Sequence, residues 1–152
     1  MWKVFVKEYA MSLQELSGNF VKAVQNNDIP NIIEISSTAQ SKLTEMFKQL
    51  RLSQDHGELS KDLGENCSLG YYQKSIPNDF NLFKQQNQMF TLNEKLNLRD
   101  CANAVFHSKI SDYYIENNKH WLLYKTDRNQ LIIMDIQKVC NVVIQNVKEN
   151  PL

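Results

Sequence analysis

The chain has 152 residues, and 17 Lys and Arg balance 17 Asp and Glu to a formal net charge of zero. That length is one domain, 1–152, able to bury roughly two-thirds of its unfolded surface without staples. The balanced charge excludes the clustered basic excess that phosphate binding needs, so no nucleic-acid partner is expected.

The N-terminus alternates Trp2, Val4 and Val6 with Lys3, Phe5 and Lys7, which reads as a short first strand or a helix lead-in. It lacks the unbroken apolar core of a secretory signal. No run of about 18 apolar residues exists, so no membrane association is expected. Ser12-Leu-Gln-Glu15 has the form of a capping box. Behind it Leu13, Leu16, Phe20, Val21 and Val24 recur at helical spacing, ending at Asn26-Asn27-Asp28. Pro30 suits the first turn of a second helix. That helix carries Ile32, Ile33 and Ile35, then Leu43, Met46, Phe47 and Leu50, with a kink expected near Ser36-Ser37-Thr38.

Residues 53–66 read as a polar surface loop with Gly57 and Gly64. Leu69, Tyr71 and Tyr72 form a strand that stops at Pro77-Asn78-Asp79. The period of Phe80 to Leu92 is not fixed. Residues 98–115 fit either a helix capped by Asp100 or a strand. The segment from His120 to Asp135 is a hairpin, with two β-rich runs flanking Thr126, Asp127, Arg128 and Asn129. A four-residue loop pairs Lys125 with Gln130, Leu123 with Ile132, Trp121 with Met134 and His120 with Asp135. One face then holds Leu122, Tyr124, Leu131 and Ile133; the other holds Trp121, Leu123, Ile132 and Met134. Both are apolar, so both should be covered. Val139, Val142, Val143 and Val147 close the chain as a strand or a short helix. Helices first and strands later predict an α+β fold, with N-terminal helices packed on a curved antiparallel sheet.

Three cysteines, at 67, 101 and 140, are odd in number, widely spaced and free of any Cys-x-x-Cys. That argues against a zinc knuckle or a disulfide framework and fits reduced thiols in the cytoplasm. Asp62, Glu65, Asp79, Asp100 and Asp112 make no metal spacing, and no glycine loop could cradle a phosphate. No metal and no cofactor are expected. His56 reads as a solvated loop residue, and His107 as a core or sheet-edge one.

The order Cys67, His120, Asp135 resembles papain-like and transglutaminase-like cysteine enzymes. The resemblance implies Cys67 as nucleophile, His120 as its base and Asp135 as the group orienting the imidazole. The sequence departs from those families at Cys67, which leads to Pro77 within ten residues rather than into a long helix. Cys101 has a better following helix, but only 18 residues separate it from His120. The stretch from Phe20 to Asp28, with Ile32, Ile33, Ser36 and Ser37 after it and Trp121 through Ile136 at the end, resembles nuclear-transport-factor-like cone domains. That implies a cone-like sheet. The family includes enzymes, secretion-system subunits and bacterial immunity proteins that neutralise a cognate toxin. The function expected here is a non-catalytic cytosolic protein-binding module, in its most specific form such an immunity protein with a toxin as partner. Tyr71, Tyr72, Tyr113, Tyr114 and Trp121 are its candidate binding residues, because exposed aromatic rings suit interfaces. The alternatives are the cysteine hydrolase and a carrier holding an apolar ligand in the mouth of the cone.

Overall fold

The computed structural model describes residues 2–66, 69–74, 80, 81, 84, 94–108, 110–128 and 130–147. Helices pack on one face of an antiparallel sheet, an α+β arrangement. Helix α1 is Trp2–Gln25 and α2 is Ile29–Asp55. A single π-helical turn, Asp62–Asn66, precedes strand β1, Gly70–Lys74. Then follow β2 (Glu94–Leu96), α3 (Leu98–His107), β3 (Ile110–Glu116), β4 (Lys119–Lys125), β5 (Gln130–Asp135) and α4 (Ile136–Asn146). The strand order is β2-β1-β5-β4-β3, so β5 is central. No helix is long and apolar enough to cross a membrane.

Helix α1 buries Val6, Ala10, Leu13, Ser17 and Phe20, a stripe of alternating four- and three-residue steps that lies along α2 and α4. This stripe begins at Val6. The N-terminus is therefore helix from Trp2, and Ser12 lies inside it rather than capping it. Asn27, at φ 55°, ends the helix, and the Asp28 side chain accepts the Asn31 N–H to start α2, with Pro30 in its first turn. Helix α2 runs without interruption through Ser36-Ser37-Thr38.

Segment 98–115 is both of its expected forms in succession, helix and then strand. Asn97, not Asp100, caps the helix by accepting the Asp100 N–H. The valine-rich tail is helical because Asp135 caps it and Ile136, Val139, Cys140 and Val143 fall on one buried face. Segment 53–66 is less of a loop than its composition suggests: α2 extends to Asp55, and Leu63 is fully buried. The expected stop at Pro77-Asn78-Asp79 lies outside the described residues, as does most of 82–92.

The hairpin register is one residue away from expectation. Trp121 pairs with Asp135, Leu122 with Met134, Leu123 with Ile133 and Lys125 with Leu131. Thr126 N–H donates to the Gln130 carbonyl at 2.9 Å, and Gln130 N–H donates to Thr126 Oγ1 at 3.2 Å. The ladder therefore continues one step further, and the loop holds three positions, 127–129, rather than four. A one-residue slip moves a whole strand to the other face. Leu122, Tyr124, Ile132 and Met134 face the helices, while Leu123, Leu131 and Ile133 form a second cluster on the outer face with Phe80, Tyr114 and Trp121 packed against it. Both faces of the hairpin are covered, as its composition required.

Two close approaches fix the rest. The β3–β4 turn is Asn117-Asn118, both at positive φ (50° and 64°), the two-residue geometry that matches strand twist. Gln25 Nε2 donates to Asn118 Oδ1 at 3.0 Å and ties this turn to the end of α1. At Gly70 the sheet meets α3 without room for a side chain. A Cβ there would lie 2.9 Å from Met134 Cγ, 3.0 Å from Cys101 Sγ and 3.0 Å from the Ile133 carbonyl.

Candidate functional site

Where α1 and α2 spread over β3 and β4, a pocket of about 190 Å³ is left between the layers. Its walls are mostly apolar: Leu13, Leu16 and Phe20 from α1, Ala39 and Leu43 from α2, Leu122 from β4 and Ile136 from α4. Its polar groups are Ser17, Ser36, Gln40, Ser111, Tyr113, His120 and Tyr124; Asp112 borders it at β3 but stands opposite Leu123, on the outer face. Asp112 also forms an ion pair, Oδ2 to Lys84 Nζ at 2.6 Å.

Two of these polar groups are deeply buried partners. His120 is the second residue after the Asn117-Asn118 turn, and strand alternation puts it on the helix face with Leu122 and Tyr124. Its Nδ1 is 2.9 Å from Ser17 Oγ. The imidazole stacks on Phe20 with centroids 4.6 Å apart and planes inclined by 17°, and Phe20 meets Tyr113 edge-on at 4.8 Å. His120 is 7% exposed and Ser17 4%. Burial pushes the imidazole from its usual 6.5 down to about 4, so at neutral pH the ring is uncharged. Burial also raises the Tyr124 phenol far above its ordinary value, and Gln40 hydrogen-bonds to it.

Ser17 escaped the sequence reading. The signal was there: the steps 6, 10, 13, 17, 20 demand an apolar residue at 17, and a serine stands in its place. A polar residue on a core stripe has to find a buried partner, and here the partner is His120.

The pairing of His120 with Asp135 is corrected by the register. Asp135 stands opposite Trp121, and its carboxylate caps α4 by accepting the Gln137 and Lys138 N–H groups at 3.1 and 3.3 Å. Cys67 lies outside the described residues. Cys101 and Cys140 are fully buried, and burial, with a smaller push from Asp100 and Asp135 respectively, raises each thiol to about 12. Neither is a thiolate at neutral pH. Asp135→Ala should therefore act as loss of a helix cap, lowering stability by about 1 kcal/mol. Urea unfolding of the variant checks this, and an unchanged midpoint would remove the cap.

The aromatic candidates divide. Tyr114 and Trp121 pair across β3 and β4 on the outer face. Tyr71, opposite Ile133, shares that face, and its hydroxyl accepts from Lys138 Nζ at 2.8 Å. Tyr113 faces the helices and the pocket. The side chain of Tyr72 lies outside the described ones. His56 is exposed at the end of α2, as expected. His107 is exposed in the last turn of α3, not in a core or at a sheet edge. A wider cleft between α3 and the β4–β5 turn is lined by Asp100, His107, Asp127 and Arg128, but these side chains are all exposed. Among the described residues, no group of three or more His, Cys, Asp or Glu could hold a metal ion.

No family model, no curated protein and no solved structure matches this chain. The site is read from its own chemistry alone.

Proposed function

We propose that this protein is a non-catalytic binding protein that holds a small, largely apolar molecule in the pocket between α1, α2 and the β3–β4 hairpin. The observation that carries this reading is the pocket itself: apolar walls, a few convergent neutral polar groups, and about 190 Å³ of space. Ligand sites have that make-up. An apolar cavity of about 150 Å³ takes a benzene ring, so this one has the size for a single ring with a short substituent.

Catalysis is disfavoured by the groups at hand. Among the described residues no carboxylate bonds to the His120 ring, and an imidazole titrating near 4 is a weak base for activating Ser17 at neutral pH. Ser17 also sits within α1, away from the exposed turns that present nucleophiles.

A protein partner, a toxin included, is the second reading. What supports it is that Tyr71, Tyr114 and Trp121 share the outer sheet face. It ranks second because Phe80 already packs on the cluster at the centre of that face.

The test titrates indole into the protein and follows backbone amide signals by NMR. Saturable shifts centred on Ser17, Gln40, Tyr113 and His120 are expected, and Ala39→Leu, which fills the pocket, should abolish them. Shifts that do not saturate, or that survive Ala39→Leu unchanged, would refute the ligand site.

A further inference from the structure

We infer that the ligand carries a hydrogen-bond acceptor that accepts the His120 Nε2–H, which makes it a neutral single-ring compound bearing a carbonyl or ether oxygen. This rests on the pocket being a ligand site, and it goes further by assigning the polarity of what enters.

The inference starts from one proton. The Ser17 hydroxyl is buried and has a single O–H. Buried serines in helices commonly return that proton to the carbonyl four residues back, as Ser53 in α2 does to Gln49. Ser17 does not. Among the described residues its one side-chain hydrogen bond is to His120 Nδ1. The hydroxyl proton therefore points at Nδ1, and Nδ1 is the acceptor. A neutral imidazole with an accepting Nδ1 carries its own proton on Nε2.

The opposite tautomer fits worse. With the proton on Nδ1, the Ser17 hydroxyl would accept from the ring and its own hydrogen would be left without a partner. Nε2 would be left bare as well. The first arrangement leaves one unmet group, a donor; the second leaves two. Buried polar groups are nearly always paired.

That one donor belongs to a side chain lining the pocket, and among the described residues it has no acceptor. The pocket's own polar side chains do not supply a countercharge. Ser36, Gln40, Ser111 and Tyr124 are neutral, and Asp112, which stands opposite Leu123 on the outer face, gives its carboxylate to Lys84. An anionic ligand would enter without a cation, and a cationic one would face an N–H donor. A neutral acceptor meets the need at least cost. Phe20, stacked on the imidazole, holds the plane of the ring, and the Ser17 bond to Nδ1 sets which edge carries the free N–H.

Two probes of one shape separate the acceptor from the fit. Acetophenone and α-methylstyrene differ only in C=O against C=CH₂. Both are titrated into the wild-type protein and into His120→Phe, which keeps a ring on Phe20 but has no N–H. The affinity ratio of acetophenone to α-methylstyrene should fall about 3- to 10-fold in the variant. Both probes binding with an unchanged ratio would overturn the acceptor assignment while leaving the ligand site standing. Neither probe binding the wild-type protein would overturn both.

A second measurement needs no variant. A long-range ¹⁵N–¹H spectrum of the wild-type His120 ring should show the Nε2–H tautomer, with the Nε2 proton moving when acetophenone is added but not with α-methylstyrene. An Nδ1–H tautomer, or equal movement with both probes, would overturn the assignment.

Discussion

Acidification from pH 7 to pH 4 is expected to remove roughly 3 kcal/mol of stability through His120 alone. The imidazole is buried between Phe20 and Ser17, and its folded-state value lies near 4 against 6.5 in the open chain. Above pH 6.5 neither state holds the extra proton, and the ring exacts no penalty. Between 6.5 and about 4 the unfolded chain takes the proton and the folded one does not, so stability falls by about 1.4 kcal/mol per pH unit. Below about 4 both states are charged and the loss levels off. Urea midpoints between pH 7 and 5 isolate the histidine from most carboxylate titration. His120→Phe should flatten the slope in that window. Equal slopes for the variant and the wild type would mean that the ring is not held neutral in the folded protein.

Phe47→Ala is expected to cost about 3–5 kcal/mol, the range for a large aromatic removed from a packed core. Phe47 is 0% exposed and stands in the middle of the Leu43, Met46, Phe47, Leu50 stripe, where α2 packs against α1 and α3. For a domain of this length the melting temperature should drop by roughly 6–20 °C. Ile33→Ala, on the same helix but 64% exposed, should change stability by less than about 0.5 kcal/mol. Denaturant unfolding of the pair compares the two halves of α2 directly. A Phe47 loss as small as that of Ile33 would contradict the placement of the core.

The parts of this architecture that rest on residue type were legible in the chain. Leu43, Met46, Phe47 and Leu50 announce a buried helical face, and Asp28 with Pro30 announces its start. The hairpin was legible as a hairpin, and its two covered faces followed from its composition. What was not legible depends on a count that residue types leave open by one. Thr126 could close the loop or extend the ladder, and only its bonds to Gln130 decide. That single step turned His120 away from Asp135 and toward the helices. Elsewhere the reading failed where one residue broke a longer pattern. Val6 alternates with Lys3, Phe5 and Lys7 like a strand residue, and Ser12 with Glu15 has the form of a capping box, so the α1 stripe is traced only from Leu13; Ser17, a polar residue on that stripe, is passed over. Cys140 was left out of the tail's apolar set, so Val139, Cys140 and Val143 did not register as one helical face.

The strand order has a consequence for how the chain is made. β1 pairs with β2, and β3 pairs with β4, using partners that lie close together in the chain. The two pairs are joined only by β5, which bonds to β1 on one side and β4 on the other. On the ribosome that seam arrives last, after residue 130. Until then β1 and β4 lack the strand that lies between them in the finished sheet, and an unpaired strand edge is the kind of surface that invites wrong partners.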